Sequence, residues 1–335
     1  MIRVNTFICA IAGLLILSAT SLQAQITKKE AADAYNQGIA LLSTNPGAAI
    51  DSFERSVKLA TVVGDEANDI KEQAGKVLPG LYYKKVVKFT NDKKFDEAIA
   101  ACKQTITASE KYGNDNVKEE TKKIMVQVYT NIGNNLTKAN DQPNAIKSYD
   151  SALSINPNYT KAIFYKAVVY TKLADAPKFS ETIDLAIGKA KTDNDTTFSK
   201  QMEKVARDFF KNSGIKSNKA KKPAEAIGFL NTSQKYGNDE DVYYYLANIF
   251  NTQKKYADAA VNAQKGLDMV TGAAVAKAKF YYELAVAQLG KGEKDNACGN
   301  FKNASFGPFA PAAKAQMTNM KCPGAEPAPK AVPAK

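Results

Sequence analysis

The chain has 335 residues, 44% of them hydrophobic and 24% charged, with 46 Lys and Arg against 34 Asp and Glu for a net charge of +12. That balance excludes bulk disorder and supplies enough apolar content for one elongated domain or two compact ones. Histidine is absent, which removes Ser-His-Asp chemistry, imidazole acid–base work and most zinc sites together.

Arg3 precedes a short apolar run, Phe7 to Leu17, and small residues follow as far as Ala24. This is the pattern of a secretory signal peptide over residues 1–24, cut between Ala24 and Gln25. The run is too short for a comfortable membrane span. No Leu-small-small triplet precedes Cys9, so a lipid anchor is not expected. No second apolar run follows, so the exported chain is expected to be periplasmic and not membrane-spanning, with any membrane association made through a partner. Export leaves Cys102, Cys298 and Cys322 in an oxidising space. Cys298 and Cys322 are close in sequence and are expected to bridge. Cys102 lies on the apolar stripe FDEAIAACKQTI and is expected to be a small core residue.

From Gln25 onward the apolar spacing is helical. Ala31, Ala34, Tyr35, Gly38, Ile39 and Leu42 share a face, Asn45-Pro46-Gly47 breaks it, and Ala49, Phe53 and Val57 begin a second helix. A second pair carries Tyr82, Val86 and Phe89, then Phe95, Ala98, Ile99 and Cys102, with Pro79 expected to kink or start a helix. The segment KYGND at Lys111–Asp115 ends it, Gly113 acting as the stop. The third pair holds Tyr129, Ile132, Gly133 and Leu136, then Ala145, Tyr149 and Ala152, then Pro157. A fourth pair turns near Pro177. A fifth ends in a second KYGND, Lys235–Asp239, and two more pairs follow. Pro311 to Cys322 is expected to be a lone closing helix. Residues 323–335 are Pro-, Ala- and Lys-rich and are expected to be a disordered tail.

Each pair has an apolar face too small to bury itself, so the pairs should stack as repeats. The clearest copies are Tyr129/Gly133/Ala145/Tyr149/Pro157, Tyr243/Leu246/Ala247/Phe250/Ala259 and Tyr281/Leu284/Ala285/Ala297/Phe301. These resemble the tetratricopeptide repeat (TPR) family over about Ile26 to Cys322. The resemblance implies an all-α fold, a right-handed α-solenoid of about seven TPR-like helix pairs over residues 25–322 with a C-terminal closing helix. Uneven spacing of the aromatics calls for extra turns on some helices.

In that family the first helix of each pair lines a concave groove. Carried over to matching positions, the resemblance implies groove contacts from Tyr83, Thr130, Asn134, Phe164, Lys211, Tyr244, Asn248 and Tyr282. Aromatic rings and Asn amides suit a bound peptide, whereas the same rings could simply pack between repeats. The family's carboxylate clamp is not expected, because Ile215 follows Lys211 one turn on. The acidic segments DEAND, KEETKK and NDED fall in turns and on exposed faces, so neither a catalytic pair nor a metal site is expected, and no cofactor. The expected function is a non-catalytic scaffold for a protein or peptide of the cell envelope; the alternative is a glycan- or cell-wall-binding accessory protein. Nucleic acid is not an expected partner, since the lysines are scattered along helix faces.

Overall fold

The computed structural model describes residues 26–324. The expected signal peptide over 1–24 and most of the expected tail lie outside the described residues. The chain divides into two compact units, Met1–Val128 and Tyr129–Lys335, and the boundary falls inside one helix. The described residues form fifteen α-helices and no strand, and no described helix is long and apolar enough to cross a membrane.

The first unit contains α1 (Lys28–Leu41), α2 (Pro46–Val63), α3 (Asn68–Asn91), α4 (Phe95–Tyr112) and the start of α5 (Asp115–Lys138). The second takes up the rest of α5 and continues with α6 (Gln142–Ile155), α7 (Thr160–Lys172), α8 (Ala176–Thr192), α9 (Thr196–Lys219) and α10 (Pro223–Gln234). It ends with α11 (Glu240–Thr252), α12 (Tyr256–Met269), α13 (Ala274–Gly290), α14 (Lys294–Asn303) and α15 (Ala310–Met320). Each unit is a run of stacked TPR-like helix pairs, the all-α solenoid class. The described residues hold seven pairs, and α15 is the closing helix. The extra turns sit in α3, α5 and α9, each 24 residues long against 13 for α7 and α11.

Short side-chain signals start these helices. Thr27 and Glu30 form a capping box on α1, while Asn45, Asp141, Asp175 and Asp195 each accept a backbone N–H of the following helix. The turn inside a pair has one recurring form in all but the first of the seven pairs. Two residues before the second helix, the backbone enters the left-handed region at Lys93, Asn140, Ala174, Lys221, Lys254 and Gly292. The next N–H then donates to the carbonyl five residues back, as from Lys94 to Phe89 (2.9 Å), Asp175 to Tyr170 (3.0 Å) and Glu293 to Gln288 (2.9 Å). This is a Schellman closure, and it satisfies carbonyls that the helix end would leave bare. Glycine occupies only one of the six positions, so composition does not reveal the turn.

The two helices of a pair cross closely where the sequence supplies a small residue. A Cβ on Gly133 of α5 would lie 2.6 Å from the Tyr149 ring of α6, and one on Gly214 of α9 would lie 2.7 Å from Leu230 of α10. Tyr149 and Leu230 are almost wholly buried there, so a larger residue would overpack both crossings. First helices of successive pairs also touch one another: α1 meets α3, and α9 meets α11, which meets α13.

The two KYGND segments do the same work at the ends of α4 and α10. Gly113 and Gly237 take positive φ, and each tyrosine turns back into its own unit. Tyr112 packs against α3 beside Gly75, and Tyr236 stacks on Phe210 at 5.8 Å. The following helix starts one residue later in the second copy, capped by Asp239 where Asn114 serves in the first. Pro79 lies in the interior of α3, not at a helix start, and is buried. Cys102 is fully buried and unpaired, and burial pushes its thiol up to about 12.

Candidate functional site

In the second unit, α11 and α13 run side by side as the first helices of their pairs. Both belong to unusually aromatic segments, VYYYLANIF and FYYEL. The inward positions of those segments, Leu246, Ala247, Phe280 and Leu284, are buried, which leaves Tyr244 and Tyr282 half-buried on the shared face. A 3-10 turn over Gly307–Phe309 brings Phe309 between them. Its ring lies 6.1 Å from Tyr244 and 5.7 Å from Tyr282. Tyr244 also meets Tyr245 at 5.1 Å and Phe280 at 6.3 Å, edge to face in both cases.

A charged chain adjoins the rings. Lys279, one residue before Phe280, places its ammonium 5.7 Å from the Tyr244 ring centre and 4.9 Å from that of Phe280. The same ammonium pairs with Asp241 of α11. Lys211 of α9 pairs with Asp239 at 2.7 Å and approaches Asp241 at 4.0 Å, while Arg207 lies 3.7 Å from Asp239. Burial alone would pull the Lys211 ammonium down, but the Asp239 hydrogen bond and the nearby carboxylates hold it above its ordinary value. Lys279 therefore presents a cation over aromatic faces with its counter-ion to one side, an arrangement suited to polar and aromatic groups of a peptide.

Next to Tyr282 in the chain is Glu283, 3% exposed. Asn248 and Asn251 of α11 donate to its carboxylate at 3.0 and 2.8 Å, and Asn251 also donates to its carbonyl at 2.9 Å. The Asn251 side-chain oxygen is buried with no partner among the described residues. Burial pushes the Tyr244 phenol up to about 12, with the Glu283 charge adding to it. Burial likewise raises the Glu283 carboxyl from its ordinary value, although the two amide donors oppose that shift.

The folded chain therefore holds the Glu283 proton more tightly than the unfolded chain does. Its stabilising contribution is complete below the ordinary carboxyl value of 4.5 and is lost as pH rises through the higher folded value. Glu283→Gln removes this titration. The variant is expected to lose less melting temperature than the parent as pH rises from the ordinary carboxyl value of 4.5 to neutrality. Melting curves for the two proteins that stay parallel across that range would contradict it.

The structure separates the eight expected groove residues. Tyr244 and Tyr282 come together through Phe309. Lys211 joins them through Asp239, Asp241 and Lys279, and Asn248 through Glu283. Tyr83 lies half-buried on α3 of the first unit. Asn134 accepts the Tyr149 hydroxyl at 2.8 Å, which ties up its carbonyl oxygen inside its own pair.

Two expectations require correction. Phe164 is only 5% exposed and belongs to the core around α7, α8 and α9. The long α9 starts early enough to set Phe198 edge-on against it at 5.3 Å, so its ring faces protein and not a groove. Thr130 is 4% exposed. It falls on the same inward stripe of α5 as buried Val126 and Gly133, at helical spacing.

Lys279, Asp241, Glu283 and Phe309 carry no signal in the repeat pattern that would mark them as part of this site. Lys279 and Asp241 are first-helix residues whose apposition depends on how α11 meets α13, and nothing local marks it. Phe309 follows a turn outside any repeat. Its only signal is that it is an aromatic residue in an otherwise turn-like FGPF segment. Among the described residues no group of three or more His, Cys, Asp or Glu is placed to hold a metal.

No protein-family model and no curated protein matches the chain. Among solved structures, the crystal structure of MamA protein is similar at 17% identity and a TM-score of 0.34, covering 61% of this chain and 98% of that one. YrrB, described as a TPR protein with an unusual peptide-binding site, is similar at 18% identity and a TM-score of 0.34, covering 56% of this chain and 91% of its own. A tetratricopeptide repeat protein from Parabacteroides merdae covers 88% of this chain and 99% of its own at 14% identity and a TM-score of 0.29. TM-scores this low carry no weight, and the fold rests on the pairing and crossings described above.

Proposed function

We propose that this protein is a non-catalytic scaffold that binds a protein or peptide of the cell envelope through the first-helix face of α11 and α13. The observation that carries the proposal is the half-buried ring set Tyr244, Tyr282 and Phe309 beside the Lys279 ammonium. Rigid aromatic surface gives contact area at low entropic cost, and the adjoining charges give orientation. The signal-peptide pattern at the N-terminus is what supports the envelope and the periplasm as its place. A sugar site is less well supported, because Asn134 and Asn248 already hydrogen-bond within the protein.

The test is a photo-crosslinking residue in living cells. Placed at Tyr282 it is expected to capture one discrete partner, while the same residue at Leu185 of α8, 61% exposed and on a second helix, captures none. Equal capture from both positions, or none from Tyr282, would overturn the proposal. Replacing Tyr244 and Tyr282 with Ala is a poorer test, because both rings also pack on buried neighbours, Phe280 and Phe301.

A further inference from the structure

The first unit contains a cleft of about 700 Å³ between the two second helices α2 and α4, floored by α3. It owes its existence to the packing order. α3 contacts both α2 and α4, and the side chains that α2 and α4 turn toward the gap are too short or too polar to close it. Thr61 on α2 and Gln104 and Thr107 on α4 stand there. The floor and walls are apolar and fixed: Val57, Leu78, Tyr82 and Ala108 are buried. The Tyr112 ring is seated on α3 beside Gly75. Val62, 64% exposed, extends the apolar wall to the mouth.

The rim is cationic. Lys58, Lys103 and Lys111 line the cleft, all are exposed, and among the described residues none forms an ion pair. Glu54 is the one acidic residue of the lining, and its carboxylate is engaged by the Tyr82 hydroxyl at the floor. Three ammonium groups with no carboxylate partner, that of Lys111 over the Tyr112 ring at 5.2 Å, stand above an apolar floor and call for a ligand with an apolar body and a negative head. The lining runs from Glu54 to Val62 on α2 and from Lys103 to Tyr112 on α4, roughly two helical turns or about 12–14 Å. That length, and a volume inside the range of small-molecule sites, suit a small amphiphile better than a docked helix, which at two turns would be marginal on its own.

We propose that the α2–α3–α4 cleft binds a small amphiphilic anion, an apolar chain or ring bearing one carboxylate or sulfonate, with the head among Lys58, Lys103 and Lys111. The site is separate from the ring cluster on α11 and α13 and does not depend on the scaffold reading. Burial and the Glu54 hydrogen bond raise the Tyr82 phenol well above its ordinary value, so the floor stays a neutral phenol at any physiological pH.

The test uses 8-anilinonaphthalene-1-sulfonate, an aromatic sulfonate that fluoresces when it leaves water, with decanoate and decanol as competitors on the purified protein. Saturable binding is expected, with decanoate displacing the dye at about tenfold lower concentration than decanol, because only decanoate carries the charge. The double variant Lys58→Gln, Lys103→Gln alters two exposed side chains and is expected to weaken dye binding about tenfold with an unchanged melting temperature. Thr107→Trp, which fills the cleft from an exposed position, is expected to weaken it at least as much. Absence of dye binding, equal competition by decanol, or parental affinity in both variants would each overturn the proposal.

Discussion

Replacing Phe280 with Ala is expected to destabilise the second unit by about 3–5 kcal/mol, the range for removing a large, fully buried aromatic side chain. Phe280 is 0% exposed. Its ring lies against α12 at Gly266, where even a Cβ would collide with it. The backbones are thus already at their closest approach, and neither helix can move in to fill the hole. The loss should also reach the candidate site, because Phe280 backs the Tyr244 ring and lies under the Lys279 ammonium. Val275, in the first turn of α13, offers a control on the same helix, since it is 54% exposed and its change to Ala is expected to cost no more than about 0.5 kcal/mol. Urea titration followed by circular dichroism measures both. A Phe280→Ala midpoint close to that of Val275→Ala would refute the packing account.

The second large effect is expected from the Cys298–Cys322 disulfide. The structure bonds the two sulfurs across a sequence separation of 24 residues, with the Cα atoms 5.6 Å apart. Both cysteines are buried with Ala313, Met317 and Phe301 in one cluster that ties α15 to the last pair. Opening a loop of that size releases unfolded-chain entropy worth roughly 3 kcal/mol. The closing helix lies at the end of the described stack and packs mainly on α14, so it should be the first part to detach. Phe309 lies inside the same loop, which makes the ring set on Tyr244 and Tyr282 dependent on the bond. The expected result is a lower melting temperature under reductant for the parent, with no reductant effect in the Cys298→Ser, Cys322→Ser double variant. Identical melting of the parent with and without reductant would contradict it.

The repeat architecture was legible because it is written locally. Ala145, Tyr149 and Ala152 recur at helical spacing, and Gly133 meets Tyr149 within one repeat, so both partners of the contact lie in a single stretch of sequence. The duplicated KYGND segment was legible for the same reason. The groove residues were a different matter. Tyr83, Thr130, Phe164 and Tyr244 occupy matching positions in the repeat pattern, yet Thr130 and Phe164 are buried while Tyr83 and Tyr244 remain half-exposed. A position in a repeat gives the direction of a side chain relative to its own helix. It does not give what the next helix brings against it.

The helices, their pairing, the small residues at the crossings and the closeness of the two bonded cysteines are all written in the order of residues along the chain. Each of these depends on residues within about one repeat, where helical periodicity, caps and turns act directly. Packing between repeats sets which first-helix side chains face solvent, puts Phe309 between Tyr244 and Tyr282, buries Glu283 against Asn248 and Asn251, and leaves a cationic cleft over α3 between α2 and α4. The physical reason is that exposure is set by neighbours from other repeats. Here the first helices differ in length, 24 residues in α9 against 13 in α7 and α11, so equivalent positions meet unequal surroundings.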